Sequence, residues 1–246
     1  MSALFDSGLG DYIGGSATLE ALQASVNVSL FAWLNRRGAL SASGSRMFEL
    51  GSGTGDGVRL QFASADNKPN FIIARAGDKT TLGATAFTQD VWYHTGGTYD
   101  GTTRHVYVNG ASEANSGTVS GNLDLTDEVF TIGNRNGTKD RGWYGEIAEF
   151  AIWNRGLTAA EAAILAKAYS PLFIPNGLIH YWPLIRANST PAFNELINLE
   201  TLADNGTADA SHPRIIYPSL GQLRKLAAGG GVAAVAAKQL MQIGVG

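Results

Sequence analysis

No cysteine occurs among the 246 residues. That absence excludes a disulfide framework, a cysteine-ligated zinc site and a thiol nucleophile. A chain of this length can be stable without cross-links, so the absence fixes no compartment. Charge is scarce too. Only 16% of residues are charged, 18 basic against 21 acidic, for a net charge of −3, where an average domain carries about 25%. The acidic balance argues against a general nucleic-acid binder, which shows a basic patch. Residues 1–10 lack both a basic start and an apolar stretch, so they do not read as a secretory signal. No run approaches the ~18 apolar residues that a membrane-spanning helix needs; the longest candidate, 232–237, is followed by Lys238. Proline is rare before residue 170, where only Pro69 occurs, and the other six follow. Because proline cannot donate to a central ladder, 1–156 reads as uninterrupted sheet and 170–246 as looser chain.

What is abundant is glycine, at 31 residues, together with 5 Trp, 8 Tyr and 10 Phe. The combination predicts many turns between aromatic-bearing strands. Strands are expected at 26–34, 47–50, 58–63, 71–74, 92–99, 104–108, 128–132 and 145–153, each rich in β-branched or aromatic residues. Asn109-Gly110 after HVYV is a hairpin signal, since both central positions of a type I′ turn need positive φ. Thr158 and Glu161 form a capping box that starts a helix over 158–168. A weaker box, Ser219 and Gln222, precedes Leu220, Leu223 and Leu226. Strands at this spacing imply an all-β chain folded as an antiparallel sandwich or barrel. The expected division is a sandwich over 1–169 and an irregular or helical extension over 170–246, for attachment or oligomerisation.

Four ordered stretches carry a family likeness: WYHTGGTYDG (92–101), HVYVNG (105–110), TIG (131–133) and GEIAEFAIWNRGLT (145–158) running into Glu161. They resemble the laminin-G-like jelly roll of the concanavalin A-like lectin/glucanase superfamily, and VSLFAW at 28–33 resembles its first core strand. The resemblance spans about residues 20–168 and implies a two-sheet antiparallel jelly-roll sandwich, two curved sheets packed face to face. One departure is Ala148, where the family often has Asp. The stretch 177–184 (GLIHYWPL) and His212-Pro213 resemble extensions behind such domains in tailed-bacteriophage structural proteins.

Glycoside hydrolysis needs two carboxylates at a defined separation. A single strand supplies them from alternate positions, as E-x-D-x-E, and this chain has no such pattern. Glu146 and Glu149 are three apart, so unbroken alternation puts them on opposite faces, and they read as solvated. No G-x-S-x-G occurs, and His94, His105, His180 and His212 show no zinc-ligand spacing. His94 reads as a structural polar residue. Calcium is compatible with loop carboxylates, the candidates being Asp56, Asp124, Asp127 and Asp140. The polar loop 133–143 and its neighbour offer a glycan-binding face through Asn134, Arg135, Asn136, Trp143 and Tyr144.

The resemblance therefore implies a non-enzymatic virion structural protein, a bacteriophage capsid decoration (cement) protein assembled in the host cytoplasm. Its partners would be capsid protein and copies of itself, with no nucleic acid and no membrane. Phe173, Tyr181, Trp182, Leu223, Leu226 and Leu240 are the expected anchors, since aromatic and aliphatic side chains dominate interface cores. The alternative is a carbohydrate-binding module of a phage fibre or bacterial surface protein.

Overall fold

Runs of β-branched and aromatic residues form the strands, and stretches bearing glycine and asparagine form the turns. The computed structural model describes residues 2–6, 10–18, 27–39, 44–51, 57–63, 66–75, 77–116, 129–185, 192–194, 201–219 and 221–222. In chain order the elements are β1 (Ser2–Phe5), β2 (Tyr12–Thr18), β3 (Val28–Arg36), β4 (Arg46–Leu50), β5 (Gly57–Phe62), β6 (Pro69–Ala74), β7 (Asp78–Leu82), β8 (Trp92–Tyr99), β9 (Arg104–Val108), β10 (Ala111–Ser116), β11 (Val129–Ile132), β12 (Gly145–Trp153), α1 (Ala159–Ala166), β13 (Leu178–Trp182), β14 (Ala192–Asn194), β15 (Thr201–Asn205) and β16 (Ala208–Ala210). All eight expected strands are present. So is the helix, with both reciprocal bonds of its Thr158–Glu161 box. Asn109 and Gly110 have φ of 49° and 82° and join β9 to β10.

The strands make two antiparallel sheets. The first runs β10-β9-β8-β3-β12-β1-β16, with β13 also on β12; the second runs β14-β15-β2-β11-β4-β5-β6-β7. Their inner faces enclose one apolar core that includes Phe5, Leu30, Phe48, Leu60, Phe71, Phe130, Phe150 and Trp182. A second apolar cluster lies on the outer face of the first sheet. There α1 and the turn of 3₁₀ helix at Pro171–Phe173 cover Phe31, Tyr107 and Trp153. The Trp153 indole N–H is satisfied by the Ile174 carbonyl at 2.9 Å.

Strand β12 organises the first sheet. One edge pairs with β3 throughout; the other is shared, by β1 along 145–147 and by β13 along 150–153. Gly145 opens it with φ +143°, and a Cβ there would lie 1.9 Å from the Asn35 carbonyl oxygen, so only glycine lets the two strands meet. Between Ala148 and Ala151 the register with β3 slips by one residue. The extra residue is Glu149, at φ +57°, which is how a bulge breaks strict alternation.

This bulge corrects the reading of the two glutamates as solvated side chains on opposite faces. Glu146 is 0% exposed and Glu149 3%. Glu146 takes the Arg37 guanidinium, at 2.9 and 3.0 Å from Nε and in an ion pair with Nη2. Glu149 accepts the Tyr181 hydroxyl on one oxygen and the Tyr217 hydroxyl, at 2.8 Å, on the other. His212 Nε2 stands 3.1 Å from that second oxygen. Burial first, and then the Glu149 charge, raise both tyrosines above their ordinary range.

The sheets do not end at residue 169. Strand β13 joins the first sheet through β12, β15 joins the second through β2, and β16 closes on β1. Segments of the expected extension are thus integral to the sandwich. The proline argument misplaced them because Pro183 follows β13 rather than interrupting it. Residues 212–217 then clasp the back of β12, with the Ser170 N–H on the Ile216 carbonyl (2.9 Å) and the Ile216 N–H on the Ala168 carbonyl (2.8 Å). Tyr181 and Trp182 are correspondingly 0% exposed inside the fold and are not available as partner anchors. Phe173 is half-buried against Tyr169. Leu223, Leu226 and Leu240 lie outside the described residues, although Ser219 and Gln222 do exchange the expected capping bonds.

Candidate functional site

The outer face of the second sheet carries the candidate site. Strand pairing lays Ala203, Gly14, Thr131, Glu49 and Arg59 in one row across β15, β2, β11, β4 and β5. Thr131 is flanked in sequence by the core residues Phe130 and Ile132, so alternation directs it outward. The loop following β11 folds over this row. Asn134, fully buried, fixes the loop: its Nδ2 donates to the Asp11 carbonyl (3.2 Å), and its Oδ1 accepts the N–H groups of Arg135 (2.8 Å) and Arg141 (3.1 Å). The Asn136 N–H donates to Glu49 Oε2 at 2.7 Å, and its Nδ2 to the Val129 carbonyl at 2.9 Å. Trp143 seals the far end inside the core, its ring 5.2 Å from that of Phe62.

Between this loop and the β2–β15 pair lies a cleft of about 350 Å³ lined by Tyr12, Gly14, Phe130, Thr131, Asn136, Lys139, Ala203 and Asn205. Tyr12 and Asn205 face each other across the strand pair. Gly14 keeps the floor low, since a Cβ there would come 3.2 Å from the Phe130 carbonyl oxygen and 3.4 Å from the Tyr12 ring. Lys139 enters from the loop at φ +53°, beyond Gly137 at φ +81°. Its ammonium sits 4.2 Å from the Tyr12 ring centre and donates to Thr131 Oγ1 at 3.2 Å. Burial lowers its pKa, and the nearby Glu49 charge works the other way.

Beneath the loop, Glu49 is shared by two arginines. Arg59 Nε lies 3.1 Å from it, Arg46 pairs with the same oxygen, and Arg59 also reaches Asp78 at 2.6 Å. Burial pushes the Arg46 guanidinium down to about 10, and the neighbouring Arg59, Arg141 and Arg135 charges add to this.

The structure sorts the sequence-derived glycan residues. Asn136 lines the cleft. Arg135 is in the loop but not in the cleft lining, 3.4 Å from Asp140. Asn134 is a support buried under the loop, and Trp143, at 0% exposure, is a core residue; neither can touch a ligand. Tyr144 is half-buried and packs over Gly38, where a Cβ would meet its ring at 2.3 Å. Sequence reasoning missed Tyr12 and Asn205, which only the β2–β15 pairing brings together, and Lys139, which lies inside the loop it had singled out. Of the calcium candidates, Asp140 is held by Thr138 and Arg135. Asp56, Asp124 and Asp127 lie outside the described residues. Among the described residues no three potential ligands gather.

A family model described as the concanavalin A-like lectin/glucanases superfamily matches residues 8–163. No curated protein matches the chain by sequence. Among solved structures, the chain is similar to a "putative carbohydrate binding protein" from Bacteroides ovatus, with a TM-score of 0.67 at 18% identity over 87% of this chain. It spans 61% of the length of that protein. It is also similar to a SAP-like pentraxin from Limulus polyphemus (TM-score 0.55, 14% identity, 82% of this chain and 89% of that one). A third likeness is to the CBM40 of Ruminococcus gnavus IT-sialidase bound to alpha2,3 sialyllactose (TM-score 0.56, 12% identity, 68% and 97%). At these identities the likeness shows the fold.

Proposed function

We propose that the chain, which belongs to the concanavalin A-like lectin/glucanase superfamily, binds a glycan without cleaving it, in the cleft of Tyr12, Asn136, Lys139 and Asn205. The observation that carries this reading is the cleft's composition. A half-buried aromatic ring stands beside two side-chain amides and a hydroxyl, on a sheet and a loop held by buried hydrogen bonds. Aromatic surface receives the apolar C–H faces of a sugar. Amides donate and accept at once, which suits vicinal hydroxyls. The volume falls at the lower end of ligand pockets, which start near 300 Å³, and suits a short stretch of saccharide.

The lining holds no carboxylate among the described residues, whereas glycoside hydrolysis takes two. Glu146 and Glu149 are sealed behind their own partners. Tyr12→Ala is expected to weaken binding of a glycan found on a printed oligosaccharide array by about tenfold or more, the loss of roughly 1.4 kcal/mol, while chromatography shows the glycan uncut. Undiminished binding by the variant, or cleavage of the glycan, would overturn the reading.

A second reading places this binding domain in a virion, as a capsid decoration or fibre component assembled in the host cytoplasm, touching capsid protein and copies of itself. Its support is the likeness of 177–184 and His212-Pro213 to extensions of phage structural proteins. The fold brings these two stretches together, with His212 Nε2 3.3 Å from the Pro183 carbonyl. Mass spectrometry of density-purified particles from the source culture tests it. Many copies per particle support decoration, a handful supports a fibre, and absence overturns the virion assignment.

A further inference from the structure

We propose that the glycan taken by this cleft is an acidic one, and that Lys139 receives its carboxylate or sulfate. The proposal rests on the glycan reading above and names the class of ligand within it. Lys139 is the only charged group lining the cleft among the described residues. It donates to a threonine hydroxyl and lies over an aromatic ring, and no described carboxylate pairs with it. A half-buried ammonium with no ion-pair partner is costly to hold.

The acids nearest in sequence and space are engaged elsewhere. Glu49 is taken by Arg46, Arg59 and the Asn136 N–H. Asp204 lies between Ala203 and Asn205, so alternation turns it to the opposite face of β15, where it accepts the Thr207 N–H and hydroxyl at 3.0 and 2.6 Å. Asp11, immediately before Tyr12, accepts the Asp6 N–H at 2.8 Å.

A second observation points the same way. The loop and the sheet beneath it gather Arg46, Arg59, Arg135, Lys139 and Arg141 against Glu49, Asp78 and Asp140. Among the described residues that is five cations to three anions, a local excess of +2 on a chain whose net charge is −3. Within it, Arg46 Nε and Arg59 Nη2 are buried with no hydrogen-bond acceptor. A neutral sugar entering the cleft would leave this positive field as it is. An anionic one would compensate it and gain a charge-assisted hydrogen bond from Lys139, roughly twice as strong as a neutral one.

The test is an array carrying neutral oligosaccharides beside their uronic-acid, sialic-acid and sulfated counterparts, followed by titration of the best pair. We expect binding to the acidic member only, weakening as sodium chloride rises. Lys139→Met should reduce affinity for it about tenfold or more, with an unchanged thermal midpoint, and Lys139→Arg should retain most of it. Equal binding of neutral and acidic members, or full affinity in Lys139→Met, overturns the acidic assignment and leaves the glycan reading standing. Binding to no glycan at all overturns both.

Discussion

Trp182→Ala is expected to lower the stability of the isolated monomer by roughly 3–5 kcal/mol, the range for truncating a buried tryptophan. For a domain of this size that is a fall in Tm of about 6–20 °C. The indole is fully buried between the sheets, 5.3 Å from the Phe130 ring and 6.0 Å from Phe150, with His180 stacked on it at 5.1 Å. Its N–H has no acceptor, so Trp182→Phe forfeits no hydrogen bond and should cost much less. Urea or thermal unfolding of dilute monomer separates this from an anchoring role. An anchor would leave monomer stability alone and change only association. A wild-type midpoint in Trp182→Ala would return Trp182 to the surface and contradict the fold described above.

His94 should make the protein acid-sensitive. Its ring is 3% exposed, stacked on Phe31 at 5.3 Å, and burial depresses its pKa to about 3. The unfolded chain protonates near the ordinary value of about 6.5. Between those two values the unfolded state binds a proton that the folded state refuses, so stability falls as pH falls, by about 1.4 kcal/mol per pH unit. Above about 6.5 neither state is charged and the contribution vanishes. His94→Phe keeps a ring in the same slot and removes the titration. Its stability curve should therefore be flatter than wild type between about pH 6 and 4. Parallel curves would mean that His94 takes its proton in the folded state.

Much of the sandwich was legible because its signals are local. The eight central strands announce themselves by composition, the β9–β10 turn by Asn109-Gly110, and α1 by a reciprocal cap. The missed strands carry weaker signals. Strand β2 contains Gly14 and Gly15, and β7 sits at a sheet edge with only Thr81 buried. Strands β14 to β16 are three to five residues long and hold their place through distant partners. The site shows the same division. Asn136 could be found from its polar loop. Tyr12 and Asn205 could not, because nothing in either neighbourhood reports a pairing between opposite ends of the described chain. The two glutamates were misjudged because a bulge is one residue of backbone geometry, and residue spacing assumes it away. Trp143 was misjudged because a tryptophan in a polar loop looks like a ligand platform, whereas here it anchors that loop to the core.

The position of β1 also has a consequence for how the protein is made. Residues 2–5 find their hydrogen-bond partners at 145–147 and 208–210. Synthesis runs at roughly 5–20 residues per second, so β1 waits on the order of ten seconds for its first neighbour and longer for its second. During that interval an apolar strand (SALF) must remain unpaired beside a ribosome, while hairpins with near neighbours, β4–β7 and β8–β10, can already close. Residues 2–5 are translated well before either partner and dock late. The nascent chain is therefore vulnerable to strand exchange between neighbouring copies until the segment around 208–210 has emerged.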